Sequence, residues 1–256
     1  MFSTKNPEIN SILKELLSRM QEEFGAKLIG LYLYGSLVWG DFDFDISDID
    51  LLAVLASDIT EKEVISLNKL HETFVSDYKE WSDRIEVQYV STNALKTFKS
   101  SVNIMAVISP GEPLHRVDYV EEYLMNFYFV QEQGEALYGP DPKMFIQSIS
   151  KQDFLDKIII DARKWRTHIE NAKYSRPYQG FAIMTLCRAF YTFTYGQQVS
   201  KRKAAEWVKT NYPQWTDLID SAFIWRKLYR EKVENPEDTY PEAKKFVDFM
   251  IEKIIS

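Results

Sequence analysis

One cysteine and three histidines are all that 256 residues offer to soft-metal or thiol chemistry. The single Cys187 excludes an internal disulfide and any zinc site built on several thiolates. It lies in the apolar run Phe181–Phe193 and reads as a buried, inert thiol. His71, His115 and His168 are scattered without metal-ligand spacing, and each is expected at the surface or half buried. No run is long and apolar enough to span a bilayer, and the N-terminal MFSTKNPEINSILKELLSRM holds no signal-peptide block, which makes the cytoplasm the expected compartment. Internal repeats and low-complexity stretches are missing as well. So is an excess of positive charge: the net charge is −7, and no whole-protein basic field draws the chain to nucleic acid. The expected partners are therefore small molecules, with no nucleic acid and no membrane, and the protein is expected to be a monomer or weak dimer.

What is present is an ordinary soluble composition, 45% hydrophobic and 27% charged, enough for one large domain or two modest ones. Aromatic residues reach 14%, which helps build a core and supplies stacking surfaces for a base or ring. The informative stretch is Leu28 to Leu55. Leu28–Tyr34 is a continuous apolar and aromatic run, as expected of a strand buried on both faces. Gly35 lets the backbone turn and approach a ligand closely, and Ser36 adds a small hydroxyl. Ser47-Asp48-Ile49-Asp50 then opens a second apolar run. On a strand, alternate side chains share a face, so Asp48 and Asp50 point the same way while Ile49 points into the core. Two carboxylates so close call for a counter-charge. A hard divalent ion such as Mg²⁺ supplies one, and it takes oxygen ligands shared with substrate phosphates. Asp41, Asp43 and Asp45 also alternate, but Phe42 and Phe44 between them and the lack of a strand directly after them suggest a loop. A calcium loop starting at Asp41 fails, because Ile46 stands where the sharp-turn glycine belongs and Leu52 where the bidentate glutamate belongs.

Gly35-Ser36, a spacer, then Asp48-x-Asp50 resembles the nucleotidyltransferase superfamily built on the polymerase-β-like fold. The resemblance implies a third carboxylate on a neighbouring strand. Arg84–Val90 fits, with Ile85, Val87 and Tyr89 on one face and Glu86 on the other. The second half sharpens the likeness. Leu186-Cys187-Arg188-Ala189-Phe190-Tyr191, then Gly196, Lys201 and Ala204-Ala205-Glu206-Trp207 resemble the C-terminal domain of the streptomycin/spectinomycin (aminoglycoside) adenylyltransferases. In that family an arginine and a lysine of the helical domain reach ATP; the matching positions are Arg188 and Lys201. The phrase Leu137-Tyr138-Gly139-Pro140 also has its counterpart there, so the likeness covers nearly the whole chain.

The resemblance implies an enzyme that transfers AMP from ATP, with Mg²⁺, to a hydroxyl of a small molecule such as an aminoglycoside-type antibiotic. Asp48 and Asp50 would hold the metal, and Glu86 would complete the metal site or act as general base. Gly35, Ser36 and Ser47 would cradle phosphates, and Arg188 and Lys201 would neutralise them. One departure bears on the acceptor. Where those enzymes carry carboxylates that grip a cationic antibiotic, this chain has Lys173-Tyr174-Ser175-Arg176-Pro177-Tyr178-Gln179-Gly180, basic and aromatic with no acid. Glu170 alone stands nearby. Alternatives therefore remain: another antibiotic, a metabolite or a protein hydroxyl as acceptor, or a catalytically silent nucleotide-binding module.

Together with the resemblance, the remaining pattern implies an α/β (α+β) nucleotidyltransferase domain with a mixed sheet over residues 1–150 and an all-α helical bundle over 151–256. Helices are expected at Pro7–Phe24, from Asp58 or Thr60 to about Asp77, and at Tyr119–Gln133. A short strand is expected at Ile104–Ile108, a turn at Pro110–Pro113, and a loop from Gly134 to Pro142. The second half predicts helices at Asp153–Ala172, Gln179–Tyr195, Lys201–Asn211, Pro213–Glu231 and Pro241–Ile255. Trp207, Trp215 and Trp225 are expected to pin that bundle.

Overall fold

Asn6 starts the first helix by a short-range hydrogen bond. Its side-chain oxygen accepts from the backbone N–H of Glu8 and Ile9 at 2.9 and 3.4 Å, and Pro7 takes the first helical position, where no N–H is needed. The helix, α1 (Pro7–Phe24), turns Ile9, Ile12, Leu13, Leu16, Leu17, Met20 and Phe24 inward. The computed structural model describes residues 4–229 and 235–256, and the chain divides into two units, Met1–Ile149 and Ser150–Ser256.

In the first unit, β1 (Leu28–Tyr34) is followed by a single helical turn, α2 (Ser36–Trp39), and by β2 (Ile49–Leu55). Helix α3 (Glu61–Asp77) opens on a reciprocal cap between Thr60 and Glu63 and carries the chain over to β3 (Ile85–Ser91). Then come α4 (Thr92–Thr97), β4 (Met105–Ser109), β5 (Glu112–Val117), α5 (Leu124–Gln133) and β6 (Glu135–Tyr138). The six strands form one mixed sheet in the order β5-β4-β3-β2-β1-β6. The β2–β3 pair is parallel and the other pairs are antiparallel. A parallel neighbour requires a crossover, and α3 provides it.

Alternation along the three central strands separates two faces. Leu31, Leu33, Ile49, Leu51, Ala53, Leu55, Ile85, Val87 and Tyr89 join the inward residues of α1 with Leu67 and Phe74 of α3 in one core. Tyr32, Tyr34, Asp50, Glu86 and Gln88 stand on the opposite parity. There α5 is tied to the sheet by a hydrogen bond from Asn126 to Tyr34, and its Phe129 meets Trp39 edge-on.

Two edge strands lie where irregular chain was expected. Only Pro110 and Gly111 form the turn after β4, and Glu112–Val117 is a strand. Pro113 is tolerated because β5 is an outer strand. The expected loop from Gly134 to Pro142 contains β6, which pairs with β1 through Leu31–Tyr138, Tyr32–Ala136 and Leu33–Glu135. Four residues carry too little pattern to announce a strand; the exposed edge of β1 makes it one. The helix expected over Tyr119–Gln133 begins as a 3₁₀ turn, Val120–Tyr123.

The second unit is built of α6 (Lys151–His168), α7 (Arg176–Tyr195), α8 (Lys201–Asn211), α9 (Thr216–Lys227) and α10 (Tyr240–Ile255). A 3₁₀ turn, Ile169–Ala172, extends α6. Helix α7 starts three residues earlier than expected because Ser175 caps it and Pro177 fits its first turn. It ends on Gly196, at φ +61°, as a left-handed terminus requires. The helix expected over Pro213–Glu231 divides into a 3₁₀ turn, Pro213–Trp215, and α9; residues 230 and 231 fall outside the described ones. Trp207, Trp215 and Trp225 are half buried rather than central. Trp207 packs on Phe190, Tyr191 and Tyr195, and Trp215 on Phe246 and Phe249. The centre holds smaller groups, among them the buried Cys187, whose thiol pKa burial pushes up. Among the described residues, no helix is long and apolar enough to cross a membrane.

His71, expected at least half exposed, is instead buried on α3 with its Nε2 2.8 Å from the Tyr89 hydroxyl. Burial lowers its pKa from 6.5 to about 4, so the folded protein holds a neutral imidazole. The unfolded chain takes up a proton below about pH 6.5, and the stability due to this site is lost as pH falls through the folded value. A drop from 6.5 to about 4 corresponds to about 3 kcal/mol once pH is below both values. Urea midpoints measured between pH 7 and about pH 4 should fall in the wild type and fall less steeply in His71→Gln.

Candidate active site

The β2–β3 register places Asp50 directly beside Glu86, and the β1–β2 register places Tyr34 directly beside Asp50. The three side chains form a row across three strands, on the face away from the main core. Directly after Tyr34 comes Gly35, at φ +76°; a Cβ there would stand 2.0 Å from Asp50 Oδ2. Both its backbone angle and the space taken by the Asp50 carboxylate exclude a side chain. Ser36 then begins α2, whose turn closes on the Gly35 carbonyl through the N–H groups of Val38 and Trp39.

Asp48 lies just before β2, two residues from Asp50, and its backbone is held by an internal cation. Arg84 is 4% exposed. Its Nε and Nη2 both donate to the Ser47 carbonyl, at 3.0 and 2.6 Å, while its own carbonyl accepts from the Ile49 N–H at 2.8 Å. The guanidinium also lies 4.3 Å from the centre of the Trp81 ring. Asp48 is thus bracketed by one residue, through two charge-assisted bonds on one side, worth about 1.5–3 kcal/mol each, and a neutral backbone bond on the other. Ser47 is buried, and its hydroxyl accepts from the Asp43 N–H at 3.0 Å, bracing the acidic loop. Asp41, Asp43 and Asp45 stay in that loop.

Glu86 sits in a nest of donors. Tyr34 donates to its Oε1 at 3.3 Å, Gln88 Nε2 at 3.0 Å and Asn126 Nδ2 at 3.5 Å. Gln88 and Asn126 also donate to the Tyr34 oxygen, at 2.8 and 3.1 Å. Burial first, then the Glu86 and Asp50 carboxylates, hold the Tyr34 pKa well above its usual value. Tyr123 is pushed up to about 12 by burial and by Glu86, Glu112 and Glu122. In both phenols the neighbouring carboxylates add to the effect of burial. Tyr34, Gln88, Asn126 and Arg84 carried no role in the sequence reading. Tyr34 and Gln88 share strand parity with the acids, which is a signal of sorts; Asn126 arrives from a helix with none.

The donor set suits a hard divalent ion. Asp48, Asp50 and Glu86 offer only carboxylate oxygens, all are half buried, and the missing Cβ of Gly35 lets the Asp50 carboxylate lie against the turn. Among the described residues, no three His, Cys, Asp or Glu side chains form a ready metal-binding group. Mg²⁺ is commonly held by only one or two carboxylates, with substrate phosphates and water completing its shell.

In the second unit, Arg188 lies on α7 and Lys201 is the first residue of α8; both are half buried. The Lys201 ammonium stands 4.1 Å from the centre of the Phe181 ring. Phe181 and Arg188 are seven residues apart on α7 and so share a face. Tyr178 and Phe181 have nearly parallel rings, at 7°, and both meet Trp165. Glu170, the acid nearest in sequence to the basic and aromatic segment, accepts from Tyr240 at 2.6 Å and pairs with Lys244.

Comparison with known proteins agrees with this geometry. A family model described as nucleotidyltransferase domain matches residues 13–165, and one described as aminoglycoside adenylyltransferase, C-terminal domain, matches residues 144–253. Spectinomycin 9-adenylyltransferases of Staphylococcus aureus, from strains Mu50 and N315 among others, are 26% identical over 261 residues, spanning 96% of this chain and 95% of the relative. The crystal structure of spectinomycin adenyltransferase AAD(9) from Enterococcus faecialis with ATP and spectinomycin shares the fold. Its TM-score is 0.72 at 17% identity, covering 96% of this chain and 99% of that one. The chain belongs to the nucleotidyltransferase domain family, and its second half is similar to the C-terminal domain of the aminoglycoside adenylyltransferases.

Proposed function

We propose that the protein transfers AMP from ATP to a hydroxyl of a small-molecule acceptor in the cytoplasm, with Asp48, Asp50 and Glu86 as its catalytic carboxylates. The observation that carries this reading is the row of Tyr34, Asp50 and Glu86 beside the Gly35 turn. Asp48 and Asp50, with Glu86, would hold Mg²⁺, which when bound supplies positive charge to the triphosphate. Gly35 and Ser36 give the nucleotide's phosphates close access to backbone and hydroxyl. Ser47 shapes the loop that leads to Asp48. Glu86 takes the proton of the acceptor hydroxyl as its oxygen bonds to the α-phosphorus and pyrophosphate leaves. Arg188 and Lys201 contribute positive charge to the phosphates of ATP and to the departing pyrophosphate.

The relatives are named for spectinomycin, which makes it the first acceptor to test. A specific observation favours a second reading, an acceptor other than a cationic aminoglycoside. The segment Lys173–Gly180 is acid-free, and Glu170 is engaged by Lys244 and Tyr240. Cations held this way are poorly placed to welcome another.

Asp48→Asn and Asp50→Asn should abolish AMP transfer while melting temperature is kept, and Glu86→Gln should lose transfer while binding of a non-hydrolysable ATP analogue persists. Wild-type turnover in either Asp variant would remove the metal assignment; parallel loss of binding and turnover in Glu86→Gln would make it chiefly a ligand. Arg188→Ala should weaken the ATP analogue by about tenfold in calorimetry, within the range of a charged hydrogen bond. An unchanged affinity returns Arg188 to a packing role. Labelled ATP offered with spectinomycin, streptomycin and neutral polyols should label spectinomycin on the first reading and a neutral polyol on the second; labelling of either cationic antibiotic would overturn the argument from the acid-free segment.

A further inference from the structure

Five hydrogen bonds converge on two oxygens beside the reacting centre, and their directions are mutually constrained. The Tyr34 oxygen accepts from the amides of Gln88 at 2.8 Å and Asn126 at 3.1 Å. A hydroxyl that accepts two N–H groups has one proton left to place. That proton is directed at Glu86 Oε1, 3.3 Å away, which also receives both amides, at 3.0 and 3.5 Å. Tyr34 is buried and Gln88 fully so.

A second observation shows what this arrangement is for. Gln88 Oε1 is buried with no hydrogen-bond partner among the described residues. An unpaired buried carbonyl is a structural cost. Turning the amide over would face that carbonyl toward the Glu86 carboxylate and the Tyr34 oxygen, setting acceptor against acceptor. The amide therefore keeps its donor side on Glu86 and leaves its carbonyl unsatisfied. The donors come from β1, β3 and α5, so the carboxylate is anchored to three elements.

We infer that Tyr34, Gln88 and Asn126 are positioning residues that fix the orientation of the Glu86 carboxylate toward the acceptor hydroxyl. This rests on the reading of Glu86 as the group that takes the acceptor's proton. Tyr34, buried beside Glu86, acts through it.

The test is Tyr34→Phe, which removes the hydroxyl and keeps the ring, made alone and together with Glu86→Gln. Pyrophosphate release from ATP is followed with spectinomycin, or with water as the default acceptor. Tyr34→Phe should lower kcat by about tenfold or more, with the KM for ATP and the calorimetric Kd of a non-hydrolysable ATP analogue with Mg²⁺ within about twofold of wild type. Added to Glu86→Gln, it should change the residual rate by less than about twofold, since the residue it acts through is already lost. Asn126 is half buried, and Asn126→Ala should lower kcat in the same direction; it serves as the test if Tyr34→Phe does not fold. A kcat within about twofold of wild type in the folded variant, or an equal fall in both backgrounds, would overturn the inference. If Glu86→Gln itself turns over normally, the reading of Glu86 fails; if Glu86→Gln is inactive and Tyr34→Phe is normal, only the positioning role fails.

Discussion

Two carboxylates placed side by side on adjacent strands repel, and the first unit is arranged around that repulsion. Like charges directly opposite on neighbouring strands destabilise a sheet. The parallel pairing of β2 with β3 nevertheless puts Asp50 beside Glu86. The opposite face of the same strands is largely apolar and packed under α1 and α3, so the register cannot slip without turning the core outward. Burial on one face thus holds unfavourable charge on the other. Such charge is useful where a cation and a polyanionic nucleotide are to be bound.

The supports around the pair are unequal in kind. Glu86 is met by neutral donors, Tyr34, Gln88 and Asn126. Asp48 is governed through its backbone, by Arg84, whose buried guanidinium grips the carbonyl before it and whose own backbone carbonyl accepts from the N–H after it. Asp50 is governed by absence, since Gly35 has no Cβ to displace its carboxylate. Each device fixes a geometry without introducing a second mobile charge, and pre-arranged groups of this kind need little reorganisation during reaction. Arg84 gains further support from the Trp81 face, which suits a weakly hydrated guanidinium better than it would a lysine.

The helical unit carries the complementary sign. Arg188 and Lys201 sit among rings, with Phe181 under the lysine and Tyr178 and Trp165 alongside. An aromatic face attracts a cation, and the Phe181 ring orients Lys201. The departure from the family's acid-bearing pattern lies in the same segment. There Tyr174 is 71% exposed and Tyr178 is stacked, where carboxylates would serve a cationic acceptor.

Much of this was readable from local pattern. The Gly-Ser turn, the Asp-x-Asp step and the strand bearing Glu86 declare themselves because glycine permits a positive φ and because alternation sets which side chains share a face. The helices of both units follow from caps and apolar spacing, since those forces act within a few residues. Tertiary structure alone decided the rest. Edge strands β5 and β6 exist because neighbours offer unpaired backbone groups, and His71 is buried because α3 turns it toward Tyr89. The shell of Glu86 draws Asn126 from forty residues away, and the grip of Arg84 on Ser47 spans thirty-seven. No local rule encodes such partners, because a hydrogen bond between distant residues is chosen by where packing brings the chain, not by what lies next to it in sequence.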